Sequence, residues 1–181
     1  MNMAGGIKAW DNPVAMGPQE QGLALFDGAE SPENTLLIAY SLEAGLRDFY
    51  LSMMEKVQTI PVRDLFQKLS EIEIKHQDRL FDEYLLVSGK RVDRDSFDKQ
   101  ITAFAVEGGL TTDEYITLFK PDLDSPEDVV SLAMSIEAQA LDLYSRASER
   151  GGDERSKAVL QKIAQEERTH LEQLGQLFNN L

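Results

Sequence analysis

The chain has 181 residues, 42% hydrophobic and 28% charged, an ordinary balance for one globular domain with a real core plus an additional segment. Its 32 acidic and 18 basic side chains leave a net charge of −14, which repels phosphate and so argues against nucleic acid or an anionic membrane as partner. There is no cysteine, which excludes disulfides, thiolate metal centres and a cysteine nucleophile, and no apolar run approaches the ~20 residues that cross a bilayer.

The opening MNMAGGIKAW lacks the basic-then-apolar layout of a secretory signal, so a cytoplasmic location is expected. Residues 1–30 carry turn-forming clusters (Gly5 with Gly6, Asn12 with Pro13, Gly17 with Pro18) and no sustained periodicity. They read as an N-terminal extension of a short helix or two, outside the main core. At Ser31 the character changes. Ser31, Pro32 and Glu33 supply an N-cap, a first-turn proline and a first-turn acid, and a helical pattern runs from there to about Val57. A second helix is expected from about Pro61 to Val87, ahead of Ser88 and Gly89. In the stretch 89–124, Asp95 with Ser96 and Thr111 with Thr112 and Asp113 look like caps of two short helices. A third long helix starts at Ser125, Pro126 and Glu127 with the same cap chemistry and ends near Gly151. The fourth occupies about Asp153 to Asn179. Short links within each pair and one long middle connection define an all-α four-helix bundle with a single crossover.

Shifting the chain by 94 residues lays the last two long helices over the first two without a gap. Fifteen of the 50 positions in Ser31–Leu80 and Ser125–Leu174 are then identical. The chain therefore reads as two copies of a helical hairpin. General amphipathic likeness explains leucine over leucine. It does not explain histidine over histidine when the chain has only two.

The repeated positions carry the chemistry. Glu43 lies on a helical face with Leu36, Ala39, Leu46 and Tyr50, and Glu137 lies with Val130, Ala133, Leu141 and Tyr144. Thirty residues after each comes a Glu-x-x-His turn, Glu73 with His76 and Glu167 with His170, again on a mostly apolar face. Each long helix thus points one carboxylate into the stripe that must face the core. Isolated buried carboxylates cost several kcal/mol each, and four together repel one another or take up protons. Two divalent cations would neutralise them. One Glu from each of two helices plus Glu-x-x-His from each of the other two is the ligand set of two-metal carboxylate bundles. The alternative is a metal-free bundle with buried His–Glu pairs. Tyr50 and Tyr144 share the faces of Glu43 and Glu137 and could donate hydrogen bonds to them, or serve as core tyrosines with other partners. Glu71 and Glu166 are turned away from the stripes and read as solvated.

On these residues, 31–181 resembles the rubrerythrin group of the ferritin-like proteins. The resemblance implies a ferritin-like bundle around two iron ions, with manganese or zinc as possible substitutes. Glu73 and Glu167 would bridge, and Glu43, His76, Glu137 and His170 would be terminal ligands. It implies an oxidoreductase that reduces hydrogen peroxide or dioxygen, a separate rubredoxin-like protein as electron donor, and a homodimer or higher oligomer. A ferroxidase or iron-storage module and a non-catalytic metal-binding bundle are the alternatives. Two features depart from the family pattern. No cysteine-bearing rubredoxin-like tail is present, and the positions one turn from Glu137 that could hold an additional glutamate are Met134 and Ala140. The set is thereby closer to the symmetrical six ligands of bacterioferritin. Residues 4–10, AGGIKAW, are similar to the last helix start of a rhodanese domain, which implies that 1–30 is the tail of such a domain without its cysteine loop.

Overall fold

A computed structural model describes residues 31–98, 101, 111–150 and 154–181. The expectations for 1–30, an N-terminal extension and a rhodanese-like tail, lie outside the described residues. Among these there are six helices and no strand: α1 (Pro32–Lys56), α2 (Ile60–Ser88), α3 (Arg94–Asp98), α4 (Thr112–Phe119), α5 (Pro126–Arg150) and α6 (Glu154–Phe178). The four long ones have 25, 29, 25 and 25 residues. None of the described helices is long and apolar enough to cross a membrane.

Local chemistry sets the helix ends. The Ser31 side chain accepts from the Asn34 amide at 3.2 Å, and the Ser125 hydroxyl accepts from the Asp128 amide at 3.2 Å, so both hairpins start with the same cap. Gly89 closes α2 at φ 64°, a left-handed conformation that glycine adopts without steric cost. Thr111 caps α4, within the stretch expected to do so, and forms a reciprocal capping box with Glu114. The cap of α3 differs from expectation. Asp93, two residues before Asp95, accepts from the Ser96 amide at 2.9 Å and from its hydroxyl at 2.8 Å, because the helix already begins at Arg94.

Helices α1 and α2 pack as one hairpin, α5 and α6 as the other, and α2 lies along α6. The apolar interior falls into two clusters at different levels of the bundle. One contains Leu36, Leu80, Phe97, Tyr144 and Leu160; the other contains Leu46, Phe66, Tyr115, Val130 and Leu174. Along α1 the changeover runs from Leu42 in the first cluster to Leu46 in the second, and along α2 from Leu69 in the second to Leu80 in the first. Glu43 and Glu73 fall between those pairs, so the polar level is closed by apolar packing above and below.

The crossover is fastened by aromatic contacts. Phe97 of α3 is fully buried against Tyr40, Phe81 and Tyr84, with ring centroids 4.8, 4.9 and 4.8 Å away. The Tyr40 hydroxyl donates to Asp98 at 2.7 Å. Burial, followed by that bond to Asp98, pushes the Tyr40 hydroxyl up to about 12. Replacing Phe97 with Ala should lower the unfolding free energy by about 3–5 kcal/mol in a urea titration. A loss below about 1 kcal/mol would show that the crossover is not fastened there.

Candidate metal centre

Glu43 comes from α1, Glu73 and His76 from α2, Glu137 from α5, and Glu167 and His170 from α6. The structure brings all six together. The four glutamates and His76 are completely buried, and His170 is 2% exposed. Periodicity explains the convergence: each glutamate sits on the same helical stripe as the leucines, alanines and aromatics of the two clusters, and burying that stripe carries the carboxylate inward.

Each imidazole presents Nδ1 to the carboxylates. His76 Nδ1 lies 2.8 Å from Glu43, 2.9 Å from Glu73 and 3.2 Å from Glu167. His170 Nδ1 lies 3.0 Å from Glu167, 3.3 Å from Glu137 and 3.5 Å from Glu73. The two rings stack with centroids 5.5 Å apart and planes 14° from parallel. Two groups of four donors result: Glu43, Glu73, His76 and Glu167, and then Glu73, Glu137, Glu167 and His170, with one ligand atom per residue all within 4.8 Å of one another. Glu73 and Glu167 belong to both.

The electrostatics divide the carboxylates in the same way. Burial works to raise Glu43 and Glu137, but the charge and hydrogen bonds of His76 and His170 respectively bring them below the ordinary carboxylate value. Glu73 and Glu167 are pushed well above it by burial, with neighbouring carboxylates adding to the effect. His76 is raised despite its burial, because Glu43, Glu166 and Glu73 favour its charged form. Five carboxylate oxygens of the cluster, Glu43 Oε1, both oxygens of Glu73, Glu137 Oε2 and Glu167 Oε1, are buried without a hydrogen-bond partner. Buried oxygens normally find a donor. A set of unpartnered, mutually repelling oxygens with two imidazole nitrogens suits one or two hard divalent cations, so the residues fit a metal.

The tyrosines cross between hairpins. Tyr50 of α1 donates to Glu137 of α5, and Tyr144 of α5 donates to the Ala39 carbonyl of α1 at 3.4 Å, near enough to Glu43 to help lower its carboxyl. Burial and then the charge of Glu137 push the Tyr50 hydroxyl well above its ordinary value, so it remains a donor. Of the two glutamates read as solvated, Glu71 is exposed and accepts from Gln67 at 3.1 Å. Glu166 is different. Its side chain is 31% exposed and its Oε2 lies 2.8 Å from His76 Nε2 and 2.8 Å from an Arg79 guanidinium nitrogen. A helical wheel drawn about α6 alone turns residue 166 out of the stripe. The flank it faces is covered by α2, which places it in the seam between the helices. Its carboxyl is held down at about 2, chiefly by the adjoining His76 imidazole and then by Arg79. The sequence signal for it was the pairing of a charge at 166 with an arginine at 79, which a single-helix reading does not see.

A family model described as rubrerythrin matches residues 34–178. A search of curated proteins gives no match. Among solved structures, the chain is similar to a hypothetical protein from Pyrococcus furiosus, with a TM-score of 0.60, 24% identity, and coverage of 90% of this chain and 94% of that one. That likeness supports the fold.

The split among the carboxylates predicts how stability depends on pH. Above the ordinary carboxylate value of 4.5, the unfolded chain loses the protons that folded Glu73 and Glu167 keep, so stability falls as pH rises. Raised His76 acts in the same direction above its ordinary 6.5. The lowered Glu43 and Glu137 act oppositely, but their contribution is complete once the unfolded carboxyls have ionised. The melting temperature of chelator-treated protein should therefore fall between about pH 5 and about pH 7.5, and saturating divalent metal should reverse that trend, because metal displaces the same protons. A flat or rising profile in the chelated protein would contradict this electrostatic account.

Proposed function

The chain belongs to the rubrerythrin family, and from that premise we propose that it is a two-iron oxidoreductase that reduces hydrogen peroxide, or dioxygen, with electrons from a separate rubredoxin-like donor. The observation that carries the two-metal reading is the membership of Glu73 and Glu167 in both donor groups. A single-ion site has no use for two further carboxylates and a second imidazole at the same level.

In this reading Glu73 and Glu167, which belong to both donor groups, would be shared by the two ions, Glu43 with His76 would hold one, and Glu137 with His170 the other. Four glutamates balance the charge of two divalent ions. When bound, a pair of iron ions supplies two electrons and Lewis acidity toward an O–O bond. Reducing one hydrogen peroxide to two waters consumes those electrons and two protons. The protein's part is placement. Tyr50 holds Glu137 of the opposite hairpin by a hydrogen bond, and Tyr144 reaches back to the Ala39 carbonyl one turn from Glu43, so each hairpin is tied to the other beside a ligand. The clusters above and below keep bulk water from the level of the carboxylates, which strengthens every charge interaction within it. Met134 and Ala140 offer no further carboxylate one turn from Glu137, so six side chains would hold the two ions.

Anaerobic stopped-flow mixing of the Fe(II)-loaded protein with hydrogen peroxide tests this function. One peroxide should be consumed per two Fe(II), and added reductant should restore the Fe(II) state for repeated turnover. Oxidation continuing beyond two irons per chain would indicate iron handling instead. No oxidation would leave the metal a purely structural part. Tyr50→Phe removes the donor to Glu137 while keeping the ring, and should cost about 10- to 100-fold in metal affinity or turnover. An unchanged variant would assign Tyr50 to packing alone.

A further inference from the structure

The two halves of the centre are not chemically equal. The 94-residue shift that superimposes Glu73 on Glu167 and His76 on His170 carries Glu166 onto Ile72 and Arg79 onto Gln173. Ile72 packs against an apolar cluster, and Gln173 accepts from Lys68 at 2.8 Å. The carboxylate–arginine pair behind His76 thus has no counterpart at the repeat-equivalent positions behind His170.

We propose that Glu166, steadied by Arg79, is a positioning residue that makes the Glu43/His76 position the tighter of the two and the first to fill. The proposal rests on the two-metal reading. His76 spans from the buried carboxylates to the seam between α2 and α6, with Nδ1 toward Glu43, Glu73 and Glu167 and Nε2 toward Glu166. Glu166 stands 2.8 Å from Nε2 as an ion-pair partner, so when a cation takes Nδ1 the proton that remains on the ring belongs on Nε2, beside a carboxylate that favours it there. A carboxylate behind an imidazole also fixes the ring's orientation and raises its basicity as a ligand, and losing such a partner typically costs 10–100-fold in metal affinity. Arg79 holds Glu166 at this station at 2.8 Å, so the carboxylate is ordered before a cation arrives. A ring already seated loses less freedom on binding than one that must be gathered.

The test is site-resolved occupancy. Crystals of the full chain given one equivalent of Mn(II) or Co(II) would be measured for anomalous scattering at each position, alongside solution titration of the same metal. The wild type should place most of the single equivalent beside His76, about 10-fold or more over the His170 side. Glu166→Gln, which keeps size and an acceptor oxygen, should move the ratio toward equality or invert it while the total still reaches two. Arg79→Gln, which does not touch His76, should move it in the same direction by less. Circular dichroism and melting temperature of both variants check that the bundle is intact. Equal occupancy in the wild type, or a ratio unmoved by Glu166→Gln, would overturn the inference and leave the two-metal reading standing. A wild type that takes up one ion or none at saturation would remove both.

Discussion

A carboxylate withdrawn from water must find a positive partner or a proton, and this bundle withdraws four at one level. Glu43, Glu73, Glu137 and Glu167 are all completely buried. The two imidazoles pull Glu43 and Glu137 down, while burial and the neighbouring carboxylates push Glu73 and Glu167 up, in Glu73 against the opposing pull of His76. A protein optimised for stability alone would fill these positions with leucine, since a well-packed apolar core is no worse and often better than a buried ionic one. Retaining all four makes sense when something positive is to be held.

Duplication supplies the means economically. One hairpin that offers a lone glutamate and a Glu-x-x-His turn cannot close a two-metal site, but two such hairpins facing each other can. The cross-hairpin bonds from Tyr50 to Glu137 and from Tyr144 to the Ala39 carbonyl make the halves interdependent. The apolar clusters above and below keep the polar level dry. Where the copies have diverged, at Glu166 against Ile72 and Arg79 against Gln173, the divergence lies immediately behind one of the two imidazoles.

Much of this was legible in the sequence because the informative signals were periodic and repeated. The caps at Ser31 and Ser125, the four long helices and the single crossover follow from local chemistry and 3.6-residue spacing, and the helix ends fall within a residue or two of expectation. The convergence of the six side chains followed from the repeat, which distinguishes a preserved His76 and His170 from chance. What escaped was relational. Glu166 looks solvated on its own helix and becomes a partner of His76 only once α2 lies against α6. Asp93 rather than Asp95 caps α3, because that short helix begins at Arg94, and five residues carry no periodic signature from which to read the start. Tyr40 and Asp98, 58 residues apart, could not be paired from one chain's pattern.

The most direct test of the central claim, that the buried carboxylates exist to hold cations, is elemental analysis with native mass spectrometry on protein reconstituted anaerobically with Fe(II) and then desalted. Two ions per chain should remain bound, with removal of either Glu73 or Glu167 by substitution with Ala reducing that number, because each serves both positions. Protein that passes through the same reconstitution and retains no transition metal, while keeping its helical content, would contradict the account.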